Sequence, residues 1–124
     1  MEAPILTKKI KQRLRELAGI AHERALRKAM QPIENALADM SAGKIDAFEA
    51  SDIIHQFHQK TAREIWIIYQ RADLQSAIQS GLLEGVITPE ELPSETRQWF
   101  VQRVEDIKCH WESLPDEETD LPQG

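Results

Sequence analysis

A single cysteine, Cys109, stands among 124 residues, so the chain can form no internal disulfide and no cysteine-rich zinc site. Glycine is scarce, with five residues, and none of them sits in a glycine-rich loop of the kind that cradles phosphate. The Gly-x-Ser-x-Gly turn of serine hydrolases is missing. No apolar run approaches the roughly 18 residues that a membrane span needs. The first residues lack the apolar stretch and small-residue cleavage site of a secretory signal. Strand-like alternation of apolar and polar residues is absent as well. The expectation is one soluble, cytoplasmic, all-α domain with no membrane partner.

Charge is abundant but unevenly placed. Residues 1–30 carry eight basic and three acidic side chains, a net of +5, while the remaining 94 carry seven basic and eighteen acidic, a net of −11. Such asymmetry marks a nucleic-acid or membrane contact, or two faces that attract one another within or between copies. The basic stretch holds Lys8, Lys9, Lys11, Arg13 and Arg15 as a candidate contact patch. No aromatic residue is interleaved with it, and the acidic remainder would repel a polyanion. Nucleic acid is therefore not the expected partner.

The dominant period is helical. Ile10, Leu14, Leu17, Ala21, Ala25, Ala29, Ile33, Leu37 and Met40 recur in steps of three and four, a stripe along one helix face. Thr7 can cap its start. Pro32, with no N–H and a ring that crowds the carbonyl four residues back, predicts a kink near Gln31. The stripe keeps its phase across the proline, so the helix should continue and not reverse. Its narrowness suits the seam of a helical hairpin or of a homodimer.

Two joints share one grammar. In Gly43-Lys44-Ile45-Asp46, the glycine can close a helix in the left-handed region and Asp46 can cap the next, with Glu49 three residues on. In Gly85-Val86-Ile87-Thr88-Pro89-Glu90-Glu91, Thr88 is the cap, Pro89 the first helical residue and Glu91 the partner. Aligned on an EF-hand loop, neither joint offers the six to eight oxygens that calcium takes. A third capping signature, Thr61-Ala62-Arg63-Glu64, points to a helix start at Thr61, with one long helix running through Gln59–Thr61 as the alternative. Asp73 caps a further helix, and Ser94 begins the last, whose apolar face is Phe100, Val104, Ile107, Trp111 and Leu114. Phe48, Ile54 and Phe57 are expected to point inward, and Cys109 to be a half-buried filler. The predicted architecture is about five helices with a long kinked N-terminal helix and bundle or hairpin packing. Residues 1–114 form the domain, and 115–124 a disordered acidic tail.

The densest chemical cluster is Asp52, His55 and His58. Spacing of three puts each near the next on a helix, so two imidazoles and a carboxylate could hold a metal. The competing reading has the two histidines flanking Phe57 at a helix contact and hydrogen-bonding locally, and it is preferred, so no cofactor is expected. Arg63 and Glu64 follow as a candidate polar site. No catalytic residue is assigned.

Gly43-x-Ile45, Glu49, Asp52, Ile54-His55-x-Phe57-His58 and Ala62-Arg63-Glu64-Ile65-Trp66 together resemble a group of small bacterial all-helical proteins of unassigned function. The likeness runs from about Arg13 to Phe100. Its members often place a Gly-Pro break before Ala-Arg-Glu, where this chain has Lys60-Thr61. The resemblance implies a bacterial cytoplasmic helical domain and supplies no activity. The expected function is a non-enzymatic interaction or assembly module, self-associating as a homodimer through the first helix or binding another protein. The alternative is a small metal-binding protein or enzyme built on Asp52, His55 and His58.

Overall fold

The computed structural model describes residues 3–113, and within them the chain is helical with no strand. Leu114 and the tail expected at 115–124 lie outside the described residues. Helix α1 runs from 8 to 41 as Lys8–Ala29 and Gln31–Ser41, interrupted only at Met30. The Thr7 hydroxyl accepts from the Ile10 N–H at 3.2 Å and caps it. At the interruption the Ile33 and Glu34 N–H groups both donate to the Met30 carbonyl, at 2.9 and 3.1 Å, and Pro32 lies in the new first turn, where its missing N–H costs nothing. Pro32 therefore kinks the helix without reversing it.

Gly43, at φ 77°, ends α1: its N–H donates to Met40 O at 3.1 Å and that of Lys44 to Asp39 O at 2.8 Å. Asp46 then caps helix α2 (residues 47–71) by accepting from the Glu49 N–H at 2.9 Å. Gly85 ends helix α3 (Leu74–Glu84) the same way, at φ 75° with Val86 N–H donating to Gly81 O at 3.0 Å. Asp73 caps α3, accepting from the Ser76 N–H at 2.8 Å and its hydroxyl at 3.0 Å, and these bonds hold its carboxyl below the usual range. Both joints follow the expected pattern, with one difference. After Thr88 comes only a single 3-10 turn, Pro89–Glu91, because Leu92 is extended and Pro93 follows. Helix α4 (Ser94–Ser113) completes the fold.

The count is four helices, not five, because no break occurs at Gln59–Thr61. Helix α2 is continuous over 47–71, with α-helical Ala47–Gln56 and Ala62–Trp66 alternating with wide π-helical turns at Phe57–Thr61 and Ile67–Arg71. Thr61 is mid-helix, at φ −63° and ψ −48°, and caps nothing. The inward positions Phe57, Thr61, Ile65 and Tyr69 explain the wide turns. A row spaced by four rotates about 40° per turn in a helix of 3.6 residues, so it drifts off the contact face. Each π turn, closed by an N–H five residues along (Ala72 to Ile67 O, 2.9 Å), takes up the excess and brings the row back.

The core lies where α3 and the C-terminal half of α2 gather on the first part of α1, with α4 packed on α3. It holds Ile10, Leu14, Leu17 and Ala21 with Tyr69, Ile78, Ile87 and Phe100. The first half of the stripe proposed as a dimer seam, from Ile10 to Ala21, is thus buried within the chain, Leu14 being 1% exposed, whereas Leu37 farther along it is exposed. Gly81 lets Ile87 fold over α3, since a Cβ there would stand 2.9 Å from Ile87 Cδ1 and Cγ1 and 3.4 Å from Ala21 Cβ. Arg24 of α1 ties down the same loop, donating at 2.9 Å to both Val86 O and Glu91 Oε1. The remaining corrections are outward. Phe48, Ile54, Trp111 and Cys109 are exposed, and Phe57 and Ile107 are half-buried.

Three substitutions test these joints and contacts. Asp46→Ala should cost about 1 kcal/mol in a denaturant melt, as N-cap losses do. Thr61→Ala should cost less than about 0.5 kcal/mol, because a mid-helix threonine with no capping bond loses little to alanine. Gly81→Ala should destabilise by about 1–2 kcal/mol, since the clash with Ile87 outweighs the gain in helix propensity.

Candidate functional site

The described residues offer two unfilled surfaces, both created by the course of α1 and α2 beyond the core. The first is the two-helix arm formed by Gln31–Ser41 and Ala47–Gln56, which pack on each other. Its inner seam is made of small residues, and only Ala36 and Ala50 in the arm are buried. Alanines let the helices approach but cover little area. The larger apolar side chains Leu37, Ile53, Ile54 and above all Phe48 remain exposed, Phe48 by 82%. Phe48 lies on the face of α2 opposite Ala50, with Asp52 and His55 four and seven residues along the same face.

The second surface is a groove of about 400 Å³ at the base of the arm, where the kink in α1 passes the π turns of α2. Ala25, Ala29, Pro32, Ile65, Ile68 and Val86 form its apolar lining, with Tyr69 in one wall. Lys28, Glu64 and Glu84 supply the charge, and none of them forms an ion pair among the described residues. The volume is that of a small-ligand site. Thr61 and the Tyr69 ring complete the polar part of the lining, which contains no imidazole or thiol.

Tyr69 is the unusual group. It is buried, stacks on His22 with ring centroids 6.3 Å apart, and its hydroxyl has no hydrogen-bond partner among the described residues. Burial, with a smaller contribution from the charge of Glu84, pushes the phenol above its ordinary value. The hydroxyl therefore stays protonated through neutral pH.

The expected site residues are scattered. Asp52, His55 and His58 are all exposed, and neither histidine makes a hydrogen bond or packs away against Phe57 among the described residues. No group of three or more His, Cys, Asp or Glu among those residues is placed to hold a metal ion. Glu64 lines the groove, whereas Arg63 is exposed outside its lining. Lys8, Lys9, Lys11, Arg13 and Arg15 are exposed on the first turns of α1, with Arg13 3.5 Å from Glu16. Tyr69, Lys28 and Glu84 are not among the site residues expected from the sequence, and Phe48, expected to point inward, is exposed instead. The four-residue spacing that ends at Tyr69 was the available signal for the first of these.

No protein-family model matches the chain, and no solved structure matches it. No helix among the described residues is long and apolar enough to cross a membrane.

Tyr69 is the only tyrosine, so its titration can be read directly from phenolate absorbance. Ionisation is expected above the value of free tyrosine. Because the folded value is raised, the associated stability is present below the unfolded value, near 10, and is lost as pH rises through the folded one. Tyr69→Phe should raise stability by about 1 kcal/mol by removing an unpartnered buried hydroxyl, whereas Tyr69→Ala should lower it by about 3–5 kcal/mol.

Proposed function

We propose that the chain is a non-enzymatic interaction module of the cytoplasm whose contact surface is the arm. The observation that carries this reading is the exposure of Leu37, Phe48, Ile53 and Ile54 on an element whose buried residues are two alanines. Two helices packed through alanines bury too little to form a core, and the stable arrangements of amphipathic helices add a further layer. Among the described residues no other element supplies one: α3 packs on the first part of α1, and α4 packs on α3 and the 3-10 turn before it. A protein partner would supply that layer. Large exposed aromatic residues are the usual anchors of such contacts.

A photo-crosslinking residue at position 48 tests the reading in cells. Discrete adducts are expected at that position, and none from the same residue at position 102, on exposed Gln102 of α4. Phe48→Ser with Ile54→Ser should abolish adduct formation from position 37 while changing stability by less than about 0.5 kcal/mol per site, as surface substitutions do. An absence of adducts at 48, or identical adducts at 48 and 102, rejects the arm as a contact surface.

A further inference from the structure

Two surfaces at opposite ends of the molecule complement each other. One is the arm. Residues 31–60 carry five acidic and two basic side chains, a net of −3, around the projecting Phe48. The other surrounds the start of α1. There Leu6, Leu14, Leu74, Trp99 and Phe100 line an apolar notch of about 70 Å³. Leu6 and its neighbour Ile5 are exposed. Lys8, Lys9, Lys11 and Arg15 are exposed with no ion pair among the described residues, and the Arg103 guanidinium lies 5.1 Å over the Trp99 ring. A protruding aromatic with an acidic collar faces an apolar seat with a basic one.

One molecule cannot bring these surfaces together. Lys8 and Ser41 are the two ends of α1, a separation on the order of 50 Å at 1.5 Å per residue. Pairing arm with arm would oppose like charges. Pairing the arm of one copy with the basic end of another opposes unlike charges, which steers encounter and fixes orientation. We propose that the partner of the arm is a second copy of this chain, docked end to end with Phe48 lying over the notch, against the exposed side chains of Ile5 and Leu6 beside Trp99. The inference rests on the arm being a contact surface. Such a contact uses different patches on the two copies, so each pair leaves one arm and one seat free, and assembly continues until a ring closes or a filament grows.

Sedimentation of the full chain, at several concentrations and two salt concentrations, tests this. The wild type should assemble past the dimer with rising concentration, and less so at high salt. Phe48→Ser removes the knob, and Lys11→Glu with Arg15→Glu reverses the seat. Each variant should retain its helical circular dichroism and show an apparent dissociation constant raised more than tenfold. Mixed together they should form a 1:1 complex that grows no further, because one supplies the only working seat and the other the only working arm. A dimer that ignores both variants, or variants that fail to complement on mixing, overturns end-to-end docking. Loss of assembly on neutralising Asp116, Glu117, Glu118 and Asp120 to their amides, with Phe48→Ser silent, makes the chain's own acidic segment the occupant of the basic end and also overturns it. A monomeric wild type that still crosslinks to another protein from position 48 rejects the second copy and leaves the arm reading standing. A monomer with no crosslink rejects both.

Discussion

The close approach of α3 to α1 at Gly81 is the contact on which the rest of the chain depends. With no side chain at Gly81, Ile87 can fold back over the end of α3 and bury itself against it, within reach of Ala21. The Gly81 carbonyl also receives the Val86 and Ile87 N–H groups, at 3.0 and 3.3 Å, so the same residue ends the helix and seats the returning loop. Arg24 then clamps that loop through Val86 O and Glu91. Glu91 in turn accepts from the Thr88 N–H at 3.0 Å. Its carboxyl is held below the usual carboxylate range, chiefly by its bond to Arg24. From this fixed loop α4 starts at the right height to lay Phe100 into the core.

A second constraint shapes everything beyond the core. Helix α2 must keep one row of residues, Phe57, Thr61, Ile65 and Tyr69, turned toward α1 over several turns. An unbroken α-helix cannot do so with four-residue spacing, and the π turns are the response. They sit where the kink at Met30 carries α1 past them, and the mismatch between a kinked helix and a widened one leaves the groove. Tyr69 is the point where the row meets the core. Its ring fills space there, and its hydroxyl is left without a partner.

Beyond the groove, the arm consists of helices that pack well enough to stay together and too sparsely to cover their own apolar side chains. Small residues at the seam are the reason, because alanine permits close approach and contributes little buried area. The charge of the chain follows the same partition. The end of α1 that enters the core is basic on its outer face, while the arm is acidic.

Local chemistry in the sequence was sufficient for the helices and their ends. Thr7, Asp46 and Asp73 cap because a side-chain oxygen three residues before an orphan N–H acts alone, and Gly43 and Gly85 close helices because only glycine enters the left-handed region without penalty. The kink at Pro32 follows from a missing N–H. Thr61 carried the same local signature and did not cap, because the residues around it are held in one long helix by their contacts with α1. Phe48 and Leu14 show the same limit from the other side. Both are large, apolar and helical, and nothing in their spacing distinguishes the one that is covered from the one that is not. Leu14 is buried because α3, with α4 behind it, returns to the first half of α1, while Phe48 is exposed because no element among the described residues returns to the arm. Most helix ends depend on neighbours within a few residues, whereas burial, the π turns of α2 and its continuity through Thr61 depend on which distant segment arrives, and that was decided by the tertiary structure alone.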